Sequence, residues 1–201
     1  MMRVAVLDSG VHWGHPHIGT LAGGFNAVEG ADPAQWQDEL GHGTAVVAAI
    51  QDLAPGAEIL VVKIFQRQLR TDMATLARGF EWAIAQGAEL INLSLGTTEA
   101  AHCYVLRELM AKGGTWISAA QDQGHIFYPG ALAGAVGVVA DAALERNQIR
   151  RTDEGYYAAS PFPRSILGVP RERNLRGISF AVANLTGCLA QGQRLPLSPA
   201  E

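Results

Sequence analysis

The sequence predicts an α/β protein with a mostly parallel central sheet and helices on both faces. Three observations carry that prediction. Short apolar runs rich in Val, Ile and Leu recur at residues 3–7, 57–65, 89–95, 115–120 and 134–140. Continuous runs of this kind suit strands covered on both faces. Segments with apolar residues at helical spacing stand between most of these runs. Glycine, alone or paired or after proline, ends those segments. Strands that alternate with helices in this way build parallel sheets.

The whole chain sets the frame for the site. Its 201 residues suit one domain over 1–201, large enough to bury a core, and no linker, repeat or low-complexity segment divides it. It is 48% hydrophobic and 17% charged, with 23 Gly and a formal net charge of −4, so no basic footprint for nucleic acid is expected. No apolar stretch has the length to span a bilayer. Met1-Met2-Arg3 runs directly into Val-Ala-Val-Leu-Asp, too short for the apolar part of a signal peptide. Cys103 and Cys188 make no disulfide framework and read as small buried hydrophobes or free thiols. A cytoplasmic protein with neither nucleic-acid nor membrane partners is expected.

The elements follow in order. Residues 3–7 are a strand that ends in Asp8-Ser9-Gly10. Such a carboxylate is either a turn former or, at the C-terminal edge of a parallel sheet, part of a site. His12, His15 and His17 crowd the next loop. Pro16 holds that chain extended and no Cys or carboxylate stands nearby, so a polar loop is expected there and no metal. Residues 19–40 read as loop with a short strand or turn. Gly41-His42-Gly43-Thr44 opens a helix that runs to Leu53 and stops at Pro55-Gly56. Residues 57–65 are a second strand and 72–86 a helix. Residues 89–95 are a third strand and 98–112 a further helix. Residues 115–120 are a fourth strand, ended by Gln121-Asp122-Gln123-Gly124. Tyr128-Pro129-Gly130 is a turn and 134–140 a fifth strand. Residues 145–164 read as irregular, 165–170 as a last short strand, 177–191 as a buried helix and 192–201 as a frayed tail.

That last helix carries Ser179 in its first turn. Serine is a preferred helix cap, so capping is the plain reading. Taken with the other two motifs it reads differently. An Asp ends the first strand, a His starts the next helix and a Ser starts the last long helix. A weak alcohol nucleophile needs a base to take its proton, and that base needs a carboxylate to fix its tautomer. Asp, His, Ser is one of the known chain orders of such a triad.

The chain resembles the subtilisin-like (subtilase) serine peptidase family. The matching pieces are Val-Ala-Val-Leu-Asp8-Ser9-Gly10-Val with His15-Pro16 beyond it, and Gly41-His42-Gly43-Thr44. They continue with Phe80-Glu81-Trp82-Ala83-Ile84-Ala85, then Ile91-Asn92-Leu93-Ser94-Leu95-Gly96, Ser118-Ala119-Ala120, Tyr128-Pro129-Gly130 and Gly177-Ile178-Ser179-Phe180-Ala181. They stand in the family's order and cover nearly the whole chain. The resemblance implies the subtilisin-like three-layer fold and hydrolysis of peptide bonds through an acyl-enzyme. It implies that Asp8 orients His42, that His42 is general base and then acid, and that Ser179 is the nucleophile. Ser94, Leu95 and Gly96 would pair with an extended peptide. Ala119, Ala120, Gln121 and the segment before Tyr128 would line the pocket for the side chain preceding the scissile bond. The Ser179 N–H would be one oxyanion donor, and Asp122 stands at the position of the other.

The chain also departs from the family pattern. Gln121-Asp122 replaces Gly-Asn, so a carboxyl stands where an amide donor is expected. Ile178 replaces Thr. Val182-Ala183-Asn184 replaces Ser-Pro-His. In secreted members a loop after the His42 helix and an Asp after the first His-Pro bind calcium. Here the loop stops at Pro55-Gly56 and His17 stands at the Asp position, so no metal and no cofactor are expected. Two functional readings follow: a specialised intracellular serine endopeptidase, or a catalytically weak subtilase fold that binds a peptide or a partner protein. A partner that supplies missing loops or an oxyanion donor is a further expectation.

Overall fold

The computed structural model describes residues 1–198. Eight strands form one sheet in the order β2-β3-β1-β4-β5-β8-β10-β9. These are β1 (Arg3–Asp8), β2 (Gly23–Asn26), β3 (Glu58–Lys63), β4 (Leu90–Leu93), β5 (Thr115–Ala119), β8 (Val136–Ala140), β9 (Ile149–Arg151) and β10 (Tyr157–Ala159). Every pairing is parallel except β9 with β10. Two further short strands, β6 (Gln121–Asp122) and β7 (His125–Ile126), form a separate hairpin. Four helices complete the fold: α1 (His42–Leu53), α2 (Met73–Ala85), α3 (Cys103–Met110) and α4 (Ile178–Ala190).

The apolar runs are covered on both faces, as a mostly parallel sheet requires. Strand side chains alternate between two cores. Val4, Val6, Ile59, Val61, Ile117 and Val138 pack under α1 and α4, against Val46, Val47, Ile50, Val182 and Leu185. Ala5, Leu7, Leu60, Val62, Ile91, Leu93 and Trp116 pack under α2 and α3, against Leu76, Phe80, Leu106 and Leu109. The result is three layers, helix on sheet on helix.

Three expectations need correction. The segment read as irregular over 145–164 supplies β9 and β10, and β10 extends the sheet beside β8. Residues 165–170 form no strand, and Leu167 projects fully into solvent from a turn at Gly168. The helix read over 98–112 starts at Cys103, because Thr97 is tied by two backbone hydrogen bonds to Tyr128 and a 3₁₀ turn at Ala100–His102 follows. Of the tail read over 192–201, residues 199–201 lie outside the described residues. Among the described residues, no helix is long and apolar enough to cross a membrane.

The topology decides where a site can form. From β1 the chain steps out to β2 at the sheet edge, returns to β3 between β2 and β1, then crosses to β4 on the other side of β1. The C-terminal ends of β1 and β4 therefore flank a point where the strand order reverses, the usual place for a crevice in a parallel sheet.

Candidate active site

Asp8 is the last residue of β1 and is 1% exposed. Its Oδ1 accepts the Ser9 N–H at 2.8 Å and lies 2.7 Å from Nδ1 of His42, the first residue of α1. Its Oδ2 is buried without a donor. With Nδ1 committed to a carboxylate, the neutral ring carries its proton there and leaves Nε2 bare. Burial of the ring acts to lower the His42 pKa. The Asp8 hydrogen bond, the Asp8 charge and the Asp38 charge together outweigh it, and the pKa is raised above the ordinary 6.5.

Two local devices hold α1 in place. The Gly43 N–H donates to Ser9 Oγ at 2.9 Å. A Cβ at Gly43 would sit 2.2 Å from the Gly10 carbonyl oxygen, so only glycine allows this approach of α1 to the end of β1. Asp38 caps the helix from outside it. Its Oδ1 accepts the Leu40 and Gly41 N–H groups, both at 2.9 Å. Its Oδ2 accepts the Thr44 N–H at 2.9 Å and the Thr44 hydroxyl at 2.5 Å. These bonds hold the Asp38 pKa below the usual carboxylate value even though burial opposes them.

Ser179 is the second residue of α4. Its hydroxyl does not cap the helix and instead donates to the Ser94 carbonyl at 3.2 Å. Its own N–H belongs to the first turn, where backbone donors have no acceptor within the helix. Phe180, the next residue, packs its ring 6.0 Å from that of His42, centroid to centroid. Behind Ser179 runs a buried polar chain: the Asn92 amide donates to Ser94 Oγ at 3.0 Å, and the Thr186 hydroxyl lies 2.9 Å from Asn92 Oδ1. β1, β4, α1 and α4 thus bring Asp8, His42, Ser94 and Ser179 to the crevice.

The other expected positions lie along its rim. Leu95 and Gly96 continue from β4, and the Leu95 carbonyl accepts the Ser118 hydroxyl at 3.0 Å. Ala119 and Ala120 are buried at the end of β5, and Gln121 is exposed. Asp122 sits in the β6–β7 hairpin, half-buried and opposite His125. A cleft of about 750 Å³ lies beside Leu95, Gly96 and Thr97, walled by Phe127, Tyr128, Leu76 and Leu106. His12 and His15 are engaged locally, His12 Nδ1 with Gln37 Nε2 at 2.5 Å and His15 Nδ1 with the His17 N–H at 3.2 Å. The His17 carbonyl accepts from Arg164 at 3.3 Å.

The motifs did not single out Asp38, Ser9 as acceptor for α1, or the role of Asn92 and Thr186. A sequence signal exists for one of them: an Asp just before Gly-His-Gly-Thr is a capping residue type at a helix start. A polar Asn inside the apolar run of β4 is the other usable hint, because a fully buried amide must find partners.

The model of the subtilase family matches residues 2–142. The chain belongs to the subtilase family. Curated relatives agree with that. The thermostable alkaline protease of Halalkalibacterium halodurans is 34% identical over 77% of this chain and 44% of its own. The minor extracellular protease Epr of Bacillus subtilis is 30% identical over 74% of this chain and 24% of its own. Subtilisin BL of Lederbergia lenta is 30% identical over 94% of this chain and 75% of its own. This subtilase therefore spans under half the length of the first two. The three-layer arrangement of its elements is that expected from the family motifs.

Proposed function

We propose that this subtilase is a serine endopeptidase with Asp8, His42 and Ser179 as its triad. The observation that carries the proposal is the partly buried 2.7 Å bond from His42 to Asp8, at the crevice that also holds the Ser179 hydroxyl. The relatives' names as proteases support it.

A peptide strand lies along Ser94, Leu95 and Gly96. The Ser179 hydroxyl turns from the Ser94 carbonyl, gives its proton to His42 Nε2 and attacks the carbonyl carbon of the scissile bond. The oxyanion forms beside the Ser179 N–H and the Asp122 position. Collapse breaks the C–N bond, and His42 gives its proton to the departing amine. Water then attacks the ester with His42 as base, releasing the acid and restoring Ser179. Asp8 holds the ring and stabilises it while charged. Ala119, Ala120 and Gln121 line the pocket for the residue before the cut. We place the enzyme inside the cell, maturing a peptide or protein substrate; two free thiols suit a reducing compartment.

One observation favours a second reading. Asp122 stands at the motif position where the family resemblance implies an oxyanion donor, and a carboxyl there suits a slow enzyme, a peptide-binding protein or one completed by a partner. A fluorophosphonate probe separates the two. The wild-type protein labels at Ser179 and Ser179→Ala does not. Folded wild-type protein that takes no label at any pH refutes the peptidase.

A further inference from the structure

The substrate pocket expected beside Ser179 would have two walls, and one segment bridges them. One wall is Ser94–Gly96, running on from β4. The other is Ala119–Gln121, at the end of β5. The Phe127 N–H donates to the Ala120 carbonyl at 2.9 Å, which fastens this segment to the β5 wall. The next residue, Tyr128, exchanges two backbone hydrogen bonds with Thr97, at 2.9 and 2.8 Å, which fastens it to the β4 wall. The Phe127 side chain then lies against Gly96. A Cβ at Gly96 would stand 2.8 Å from Phe127 Cβ and 3.2 Å from its Cδ1, so the two already meet at closest packing. Phe127 also packs against the core cluster that contains Ala119 and Val138. The Ser118 hydroxyl on the Leu95 carbonyl draws the same walls together.

We infer that Phe127 fills the pocket for the residue before the scissile bond and restricts this enzyme to peptides with Gly, Ala or Ser there. The inference rests on the peptidase reading for its geometry. A substrate carbonyl that reaches Ser179 Oγ from a strand on Ser94–Gly96 must send the preceding side chain between the two walls. On the Gly96 side that space is met by the Phe127 ring, whose segment is pinned by its backbone to both walls. A Leu or Phe side chain has to displace the ring from packed surroundings, and packed interiors resist added volume strongly. The aromatic residue is thus a specificity determinant that touches substrate without taking part in bond breaking.

Binding by Ser179→Ala protein tests this without requiring turnover. Two acetylated tetrapeptide acids, identical except for a C-terminal Ala or Phe, stand for the product left in the pocket. Calorimetry is expected to show the Ala peptide bound at least about tenfold more tightly. Adding Phe127→Gly, or Phe127→Ala as the milder variant, is expected to remove or invert that preference, with circular dichroism confirming the fold. Equal affinity for the two peptides, no binding of either, or an unchanged ranking in a folded Phe127 variant overturns the inference. Fluorophosphonate labelling of wild-type protein reports on the nucleophile alone, so failure of the peptidase reading and failure of this one give different results.

Discussion

Gly43→Ala tests how closely His42, the proposed base, is positioned. The added methyl would lie 2.2 Å from the Gly10 carbonyl oxygen, 3.1 Å from Ser9 Oγ and 3.2 Å from Asp8 Oδ1. Carbon and oxygen in ordinary contact sit about 3.3 Å apart, so α1 has to retreat by roughly 1 Å. His42 is its first residue, and its 2.7 Å bond to Asp8 opens by a similar amount. The Gly43 N–H also leaves Ser9 Oγ. Overpacking of this size costs about 2 kcal/mol, which for a chain of this length lowers Tm by roughly 4–8 °C. Misplacement of a catalytic group by about 1 Å costs on the order of 100-fold in rate. The assay pairs a thermal melt with kcat on a fluorogenic peptide ending in Ala before the cut. The signature is a catalytic loss far larger than the stability loss accounts for at 25 °C, where the variant remains folded. A folded variant with kcat within a factor of about two of wild type refutes the reasoning, since the effect of a lost alignment is at least tenfold.

Four further outcomes are expected. Asp122→Asn supplies an N–H donor at the oxyanion position and is expected to raise kcat by on the order of 100-fold, read by initial rates at neutral pH; no gain shows that the developing charge lies elsewhere. kcat/KM is expected to rise with pH through a midpoint above 6.5, because the base works only when His42 is neutral and its pKa is raised. The sign for stability is opposite: protonated His42 stabilises the fold fully below 6.5, and that contribution is lost as pH rises through the raised value, so melts across this range are expected to fall while activity climbs. Asn184→Ala strips donors from the Ser160 and Phe162 carbonyls, each held at 2.8 Å, and an acceptor from Arg146. It is expected to cost about 3 kcal/mol, a drop of roughly 6–12 °C in Tm by calorimetry, with kcat little changed.

The elements legible in the sequence were those with a burial pattern strong enough to read locally. β1, β3, β4, β5 and β8 are apolar on both faces because helices cover both, and each was visible as a run. β9 and β10 were not, since Ile149–Arg151 carries two arginines and Tyr157–Ala159 spans only three residues. Their strand character comes from pairing with β8 and with each other, a tertiary effect. The start of α3 was misplaced for a similar reason: nothing near Thr98 announces that Thr97 is held by Tyr128, thirty-one residues on. At the site, the positions of Asp8, His42 and Ser179 followed from their motifs. The present partner of the Ser179 hydroxyl did not, because the Ser94 carbonyl reaches it only through the crossing of β4 under α4.

Asp38 has a consequence for how this chain can change. Its four hydrogen bonds tie down the start of α1, and its negative charge also acts on the ring at the head of that helix. Anchorage and basicity therefore hang on one carboxylate. A substitution that loosens the helix start also makes the imidazole more acidic, and Asn, which removes the charge, also sets an NH2 donor where the Thr44 N–H needs an acceptor. Evolution or engineering cannot move the acid limb of the proposed activity at Asp38 without also resetting the stiffness of the helix that carries His42.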